Sequence, residues 1–133
     1  TIDIDAGDIT SEAIGSGNVS EISIGAAVES EAGGNFEAEI DVEDVLSSAT
    51  GSGSTSTVNV GSVVDSTAGD VEISVSAGDI SSVSGDGGTS EINIGSLLEG
   101  EAGDVEVSVN VGNVTSSASG DGSTNTVNLG GVE

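Results

Sequence analysis

The sequence predicts an all-β protein, a β-solenoid-like stack of four repeats of about 34–36 residues. Three observations carry this expectation. Glycines recur at long, nearly fixed intervals, with Gly33, Gly69 and Gly103 separated by 36 and 34 positions. Aliphatic residues alternate strictly with polar ones over short runs, which is the signature of strands with one buried face. No stretch of useful length keeps the 3.6-residue apolar period of a helix. The 133 residues thus read as a single domain of four units, 1–32, 33–68, 69–102 and 103–133.

Each unit opens on a strand. In VEVSVNV, residues 105–111, Val105, Val107, Val109 and Val111 share one face. Val71, Ile73, Val75 and Ala77 repeat the pattern, as do Phe36, Ala38, Ile40 and Val42, and in the first unit Ile2, Ile4 and Ala6. A bend follows at Gly7-Asp8, Gly78-Asp79 and Gly112-Asn113, with Glu43-Asp44 as the exception. One aliphatic then returns (Ile9, Val45, Ile80 or Val114) and begins a short apolar segment, so EDVLSSA at 43–49 is expected to be strand rather than helix. The second half of each unit starts with a glycine-rich turn, GSGN, GSGS, GDGG or GDGS, where glycine supplies backbone conformations closed to other residues. A second strand puts Ile22/Ile24, Val58/Val60, Ile92/Ile94 and Val127/Leu129 inward and ends at Gly25, Gly61, Gly95 or Gly130. A further aliphatic patch follows, such as Val63-Val64 or Leu97-Leu98. The chain contains no proline, which suits a structure that uses nearly every backbone N–H in a ladder.

Composition narrows the function. The chain carries 24 Asp and Glu and no Lys, Arg or His, for a formal charge of −24. Nucleic acid and anionic membrane surfaces, which are held by basic contacts, are excluded as partners, and cations are expected. No apolar run approaches the ~20 residues of a membrane-spanning helix, so membrane insertion is not expected. A mean hydropathy of +0.12 and ordered aliphatic spacing argue against disorder despite the charge. The core must be Val, Ile, Leu and Ala, because Phe36 is the single aromatic. Oxidation-prone Cys, Met, Trp and Tyr are absent, and trypsin has no site. This profile, with a first residue that is not Met, reads as a processed product serving outside a cell or at its surface.

Equivalent units bury equivalent faces in two ways. In a β-solenoid each unit is a coil, and matching residues stack at the ~4.8 Å strand spacing. In a β-sandwich the units are antiparallel strands of two facing sheets. Clean aliphatic columns, aligned glycine corners and an Asn59, Asn93, Asn128 column with Ser23 favour stacking. Columns of Glu37, Glu72 and Glu106 and of Asp8, Asp44 and Asp79 oppose it. Two carboxylates at that spacing repel by about 0.9 kcal/mol in water and about 3.5 kcal/mol at an effective dielectric of 20. Either cations neutralise these columns or the strands are out of register. The solenoid is the leading expectation, and a sandwich that donates the strand TIDIDAGDIT is the alternative. Either arrangement leaves open strand edges with no Lys or Pro to blunt them, which predicts homopolymerisation.

The segments GSGNVSEISIG (15–25) and GDGGTSEINIG (85–95) resemble the cadence of curlin repeats. That resemblance implies stacked strand–turn–strand coils polymerising into an extracellular biofilm fibre. Curlin units are shorter and carry Gln ladders, and this chain has no Gln. It also resembles, more loosely, secreted β-rich pilus subunits that exchange strands.

Asp3, Asp5 and Asp8 form D-x-D-x-x-D around a bend, and Glu39, Asp41 and Asp44 are their counterparts one unit on. Clustered carboxylates beside turn carbonyls suit Ca²⁺, and the plainer alternative is a solvated acidic face. The Gly/Asp turns faintly resemble secreted calcium-binding repeats, without their register. TST at 55–57 and TNT at 124–126 raise an ice-binding threonine array, although the other two units read VSE and TSE. Asn18-Val19-Ser20 and Asn113-Val114-Thr115 match glycosylation sequons, as Ser/Thr-rich chains do by chance. With no His, Cys, Lys, Arg or Tyr, nucleophile–base pairs and oxyanion-stabilising cations are missing, and no enzyme is expected. The function expected is a structural subunit of a self-assembling secreted filament, and the alternative is a calcium-dependent adhesin or ice-binding module.

Overall fold

A computed structural model describes residues 1–25, 27–28, 31, 34–64, 67–98 and 101–130. Among them every regular element is a strand. The first coil contains β1 (Ile2–Ala6), β2 (Ile9–Ile14), β3 (Val19–Ile24) and the short β4 (Ala27–Val28). The second contains β5 (Phe36–Val42), β6 (Val45–Thr50), β7 (Thr55–Val60) and β8 (Val63–Val64). The third contains β9 (Val71–Ala77), β10 (Ile80–Ser84), β11 (Thr89–Ile94) and β12 (Leu97–Leu98). The fourth contains β13 (Val105–Val111), β14 (Val114–Ala118) and β15 (Thr124–Leu129).

Equivalent strands pair in parallel, forming the sheets β1-β5-β9-β13, β2-β6-β10-β14, β3-β7-β11-β15 and β4-β8-β12. The expected solenoid is the fold, and its registers join residues 34 to 36 positions apart, such as Ile2 with Ala38 and Val71 with Val105. The sandwich alternative is set aside, because the pairing throughout is parallel and between equivalent elements. What reads in sequence as a short apolar segment after the first bend is a full strand of five or six residues, β2, β6, β10 or β14.

The strands fold this way because their alternation matches the pleat. In β5 every second residue from Phe36 to Val42 is buried, and Glu37, Glu39 and Asp41 between them are exposed. The core is a column of Ile, Val and Ala running up the axis, with Ile40, Ile73, Ile80, Ile92 and Ile94 at 0–1 % exposure. At ~25 cal/mol per Å² of apolar surface, each fully buried Ile contributes about 1.5–3 kcal/mol. At the corner after β7 the chain turns at Gly61, φ +56°. A Cβ there would lie 2.8 Å from Ile73 Cγ2 and 2.9 Å from Val75 Cγ2, so both the backbone and the packing demand glycine.

Serine forms a second, polar column inside the stack. Ser11, Ser20, Ser47, Ser56, Ser82, Ser90 and Ser116 zigzag between the second and third sheets. Each hydroxyl lies 2.8–3.1 Å from the hydroxyl and the carbonyl oxygen of the serine before it. Hydroxyls this deeply buried are tolerated because each is bonded.

Candidate functional site

The side chains available for function are outward columns, one residue per coil. Up the stack they run Thr1–Glu37–Glu72–Glu106, Asp3–Glu39–Ser74–Ser108 and Asp5–Asp41–Ser76–Asn110 on the first sheet. On the second and third sheets they include Glu12–Ser48–Val83–Ser117 and Glu21–Thr57–Glu91–Thr126. At the corner between the first two sheets the column is Asp8–Asp44–Asp79–Asn113.

Of the six residues expected to bind metal, four share a face. Asp3 stands beside Glu39 and Asp5 beside Asp41, all exposed on the outer side of β1 and β5. Asp8 and Asp44 lie instead at the corner, where they bind backbone. The Asp44 N–H donates to Asp8 Oδ1 at 3.3 Å, the Asp79 N–H to Asp44 Oδ1 at 2.8 Å, and the Asn113 N–H to Asp79 Oδ1 at 2.8 Å. Among the described residues no three carboxylates converge as a metal cage. The corner column answers the repulsion objection with a third solution. Each carboxylate is held by an N–H of the next coil, a charge-assisted bond that offsets the charge stacked above it. Asn113 holds the Asp79 carboxyl below its ordinary value of 3.8, first through its backbone N–H and then through its side-chain amide, with a smaller opposing effect of desolvation. A parallel series begins at Asn35, whose Oδ1 accepts from the Asp70 N–H at 3.0 Å, while Asp70 Oδ1 accepts from the Asp104 N–H at 3.2 Å.

Beside that second series runs a groove of about 330 Å³ floored by Phe36, Val71 and Val105. Its walls are Asp70 and Asp104 on one side and Glu37, Glu72 and Glu106 on the other. Such walls attract cations and contain no nucleophile–base pair. The asparagine column forms as expected, with the Asn93 amide donating to Asn59 Oδ1 and the Asn128 amide to Asn93 Oδ1, both at 2.9 Å. Thr55, Thr89 and Thr124 align, but Glu91 separates Thr57 from Thr126 and Glu21 precedes them, so the threonine face is interrupted. Of the two sequons, Ser20 has its hydroxyl in the serine column, and the Asn113 amide is bonded to Asp79 Oδ1 at 3.1 Å.

The most distinctive surfaces are the two ends. β1, β2 and β3 pair on one side only, as do β13, β14 and β15 at the other end. Val127 and Leu129 are 42 % and 49 % exposed, while Val58, Val60, Ile92 and Ile94 in the same two columns are at 0 %. Ile2, Ile4 and Ile9 at one end and Val107, Val109 and Val114 at the other are only partly covered. Unpaired strand edges and partly covered aliphatics therefore coincide at each end, with the larger aliphatic exposure, at Val127 and Leu129, on the fourth coil. Comparison with known protein families, curated proteins and solved structures finds no match to this chain.

Proposed function

We propose that the chain is a structural subunit of a self-assembling extracellular filament that grows by adding coils end to end. The observation that carries this reading is the pair of end faces among the described residues, where strand edges pair on one side only and the aliphatic columns are partly covered, Val127 and Leu129 least of all. Parallel edges that carry no Lys or Pro and pair on one side only among the described residues are templates for another strand. The absence of oxidisable and tryptic residues supports service outside the cell. Cations, Ca²⁺ among them, neutralise the acidic columns that stacking brings together. A structural role also fits a side-chain inventory without His, Cys, Lys, Arg or Tyr.

Electron microscopy and sedimentation of the purified chain, with Ca²⁺ and with chelator, test the proposal. Uniform unbranched fibres are expected, at a lower protein concentration when Ca²⁺ is present. A chain that sediments as a monomer at millimolar concentration with Ca²⁺ overturns it.

A further inference from the structure

The outward columns differ between the first and last coils in a way that the interior coils do not. Inside the chain, registered neighbours repeatedly set carboxylate against carboxylate. Asp3/Glu39, Asp5/Asp41 and Asp8/Asp44 do so between coils one and two, Glu37/Glu72 and Asp44/Asp79 between two and three, and Glu72/Glu106 and Asp70/Asp104 between three and four. If the columns that include a described first-coil residue continue by one coil into a second copy, no such pair arises in them. Asp3, Asp5 and Asp8 of the incoming copy meet Ser108, Asn110 and Asn113. Its Glu12 and Glu21 meet Ser117 and Thr126, and Glu106 meets a threonine, Thr1.

Resting on the filament reading, we propose that subunits join head to tail in register, the fourth coil of one copy pairing in parallel with the first coil of the next. Asp3, Asp5, Glu12 and Glu21 of the first coil then each find a hydroxyl or amide capable of donating to them. The partly covered Val107 and Val109 and the half-exposed Leu129 stack on Ile2, Ile4 and Ile24 of the neighbour, which continue the same columns. The Asn113 amide oxygen is left to accept the neighbour's Asp8 N–H, continuing the corner series by one step. Joining two first coils would instead bring together two faces that each carry Asp3, Asp5, Asp8, Glu12 and Glu21. The complement to the first coil is the chain's own fourth coil, which is why a second copy, rather than an unrelated partner, fits the end.

The chain has no cysteine, so an introduced pair reports the joint without background. In register, Asp3 and Ser108 of adjoining copies lie one strand spacing apart, ~4.8 Å, within disulfide reach. Within one chain they are three spacings apart, ~14 Å, and cannot bridge. The double variant Asp3→Cys/Ser108→Cys, mildly oxidised, is expected to give a ladder of covalent multimers, with each single variant remaining monomeric on a denaturing gel. Dimers of either single variant, or fibres without a ladder, overturn the head-to-tail register while leaving the filament reading standing. Neither fibres nor ladder overturns both. As a second measurement, Ser108→Asp/Asn110→Asp restores two carboxylate pairs at the joint. It is expected to raise the critical concentration about tenfold in low salt and less in 0.5 M salt. An unchanged critical concentration overturns the proposed register.

Discussion

At the scale of single residues, the interior is governed by whether each hydroxyl finds a partner. Ser56 donates to Ser47 and accepts from Ser82, at 2.9 Å each, so Ser56→Ala removes two hydroxyl contacts while the Ser56 carbonyl still accepts from Ser82 at 3.0 Å. A loss of about 0.5–1.5 kcal/mol in chemical denaturation is expected. Ser84 is the contrary case. It stands in a column with Ala49 and Ala118, is 4 % exposed, and its hydroxyl has no partner among the described residues. Ser84→Ala is therefore expected to stabilise the fold by about 1 kcal/mol by the same measurement. Asp79 supplies a pH signature. Its folded pKa is depressed, so its contribution is present above 3.8 and is lost as pH falls through the lower folded value. Asn113→Ala removes the side-chain donor and keeps the backbone one, so carboxyl NMR should show Asp79 titrating at higher pH than in the parent but still below 3.8. These roles were only half visible in sequence. The phase set by Val45 already places Ser47 and Ala49 inward, yet a lone strand cannot show that Ser47 meets Ser20 and Ser56 from the facing sheet. The Asp8, Asp44 and Asp79 column was legible as a column, but its backbone partners follow only from the corner's shape.

At the scale of elements, the alternation of β1, β5, β9 and β13 and the paired aliphatics of β3, β7, β11 and β15 were legible because one buried face imposes period two. The length of β2, β6, β10 and β14 was not, because after one or two aliphatics their inward positions are Ser and Ala, which carry no hydrophobic signal. The varying repeat length also has a local cause. Ala49–Thr55 spans one residue more than its partner Ser84–Thr89, and Ala118–Thr124 regains it, so the change is absorbed in turns while the strands stay in register. Turns tolerate this because a loop's closing entropy depends weakly on its length. Corners do not. Gly61→Ala adds a left-handed-backbone penalty of about 1–2 kcal/mol and overpacking against Ile73 and Val75 of about 1–3 kcal/mol. A combined loss of roughly 2–5 kcal/mol should appear as a lower denaturation midpoint with unchanged slope. A midpoint shift no larger than that of an exposed substitution would contradict the packing at this corner.

At the scale of the whole molecule, sequence left solenoid and sandwich both open because each buries alternate residues equally well, and only the parallel register separates them. The fold then accepts stacked carboxylates along its outer face and concentrates them unevenly, seven of the 24 acids in residues 1–32 and four in 103–133. Repulsion of this kind acts on two events. It opposes closure of each coil on the next within a chain, where covalent connection and aliphatic burial overcome it. It also opposes the meeting of two chains, where only the joint itself compensates. Assembly should therefore be the step more sensitive to charge. Screening shortens the reach of charge to about 10 Å at 0.1 M salt, and acidification to ~pH 4, the ordinary carboxylate range, protonates part of the acids. Both changes are expected to lower the critical concentration measured by light scattering. The variant Asp5→Asn/Asp41→Asn removes one stacked pair in the first two coils and is expected to assemble at lower salt than the parent. An unchanged salt requirement would mean that long-range repulsion between chains does not set the barrier to growth.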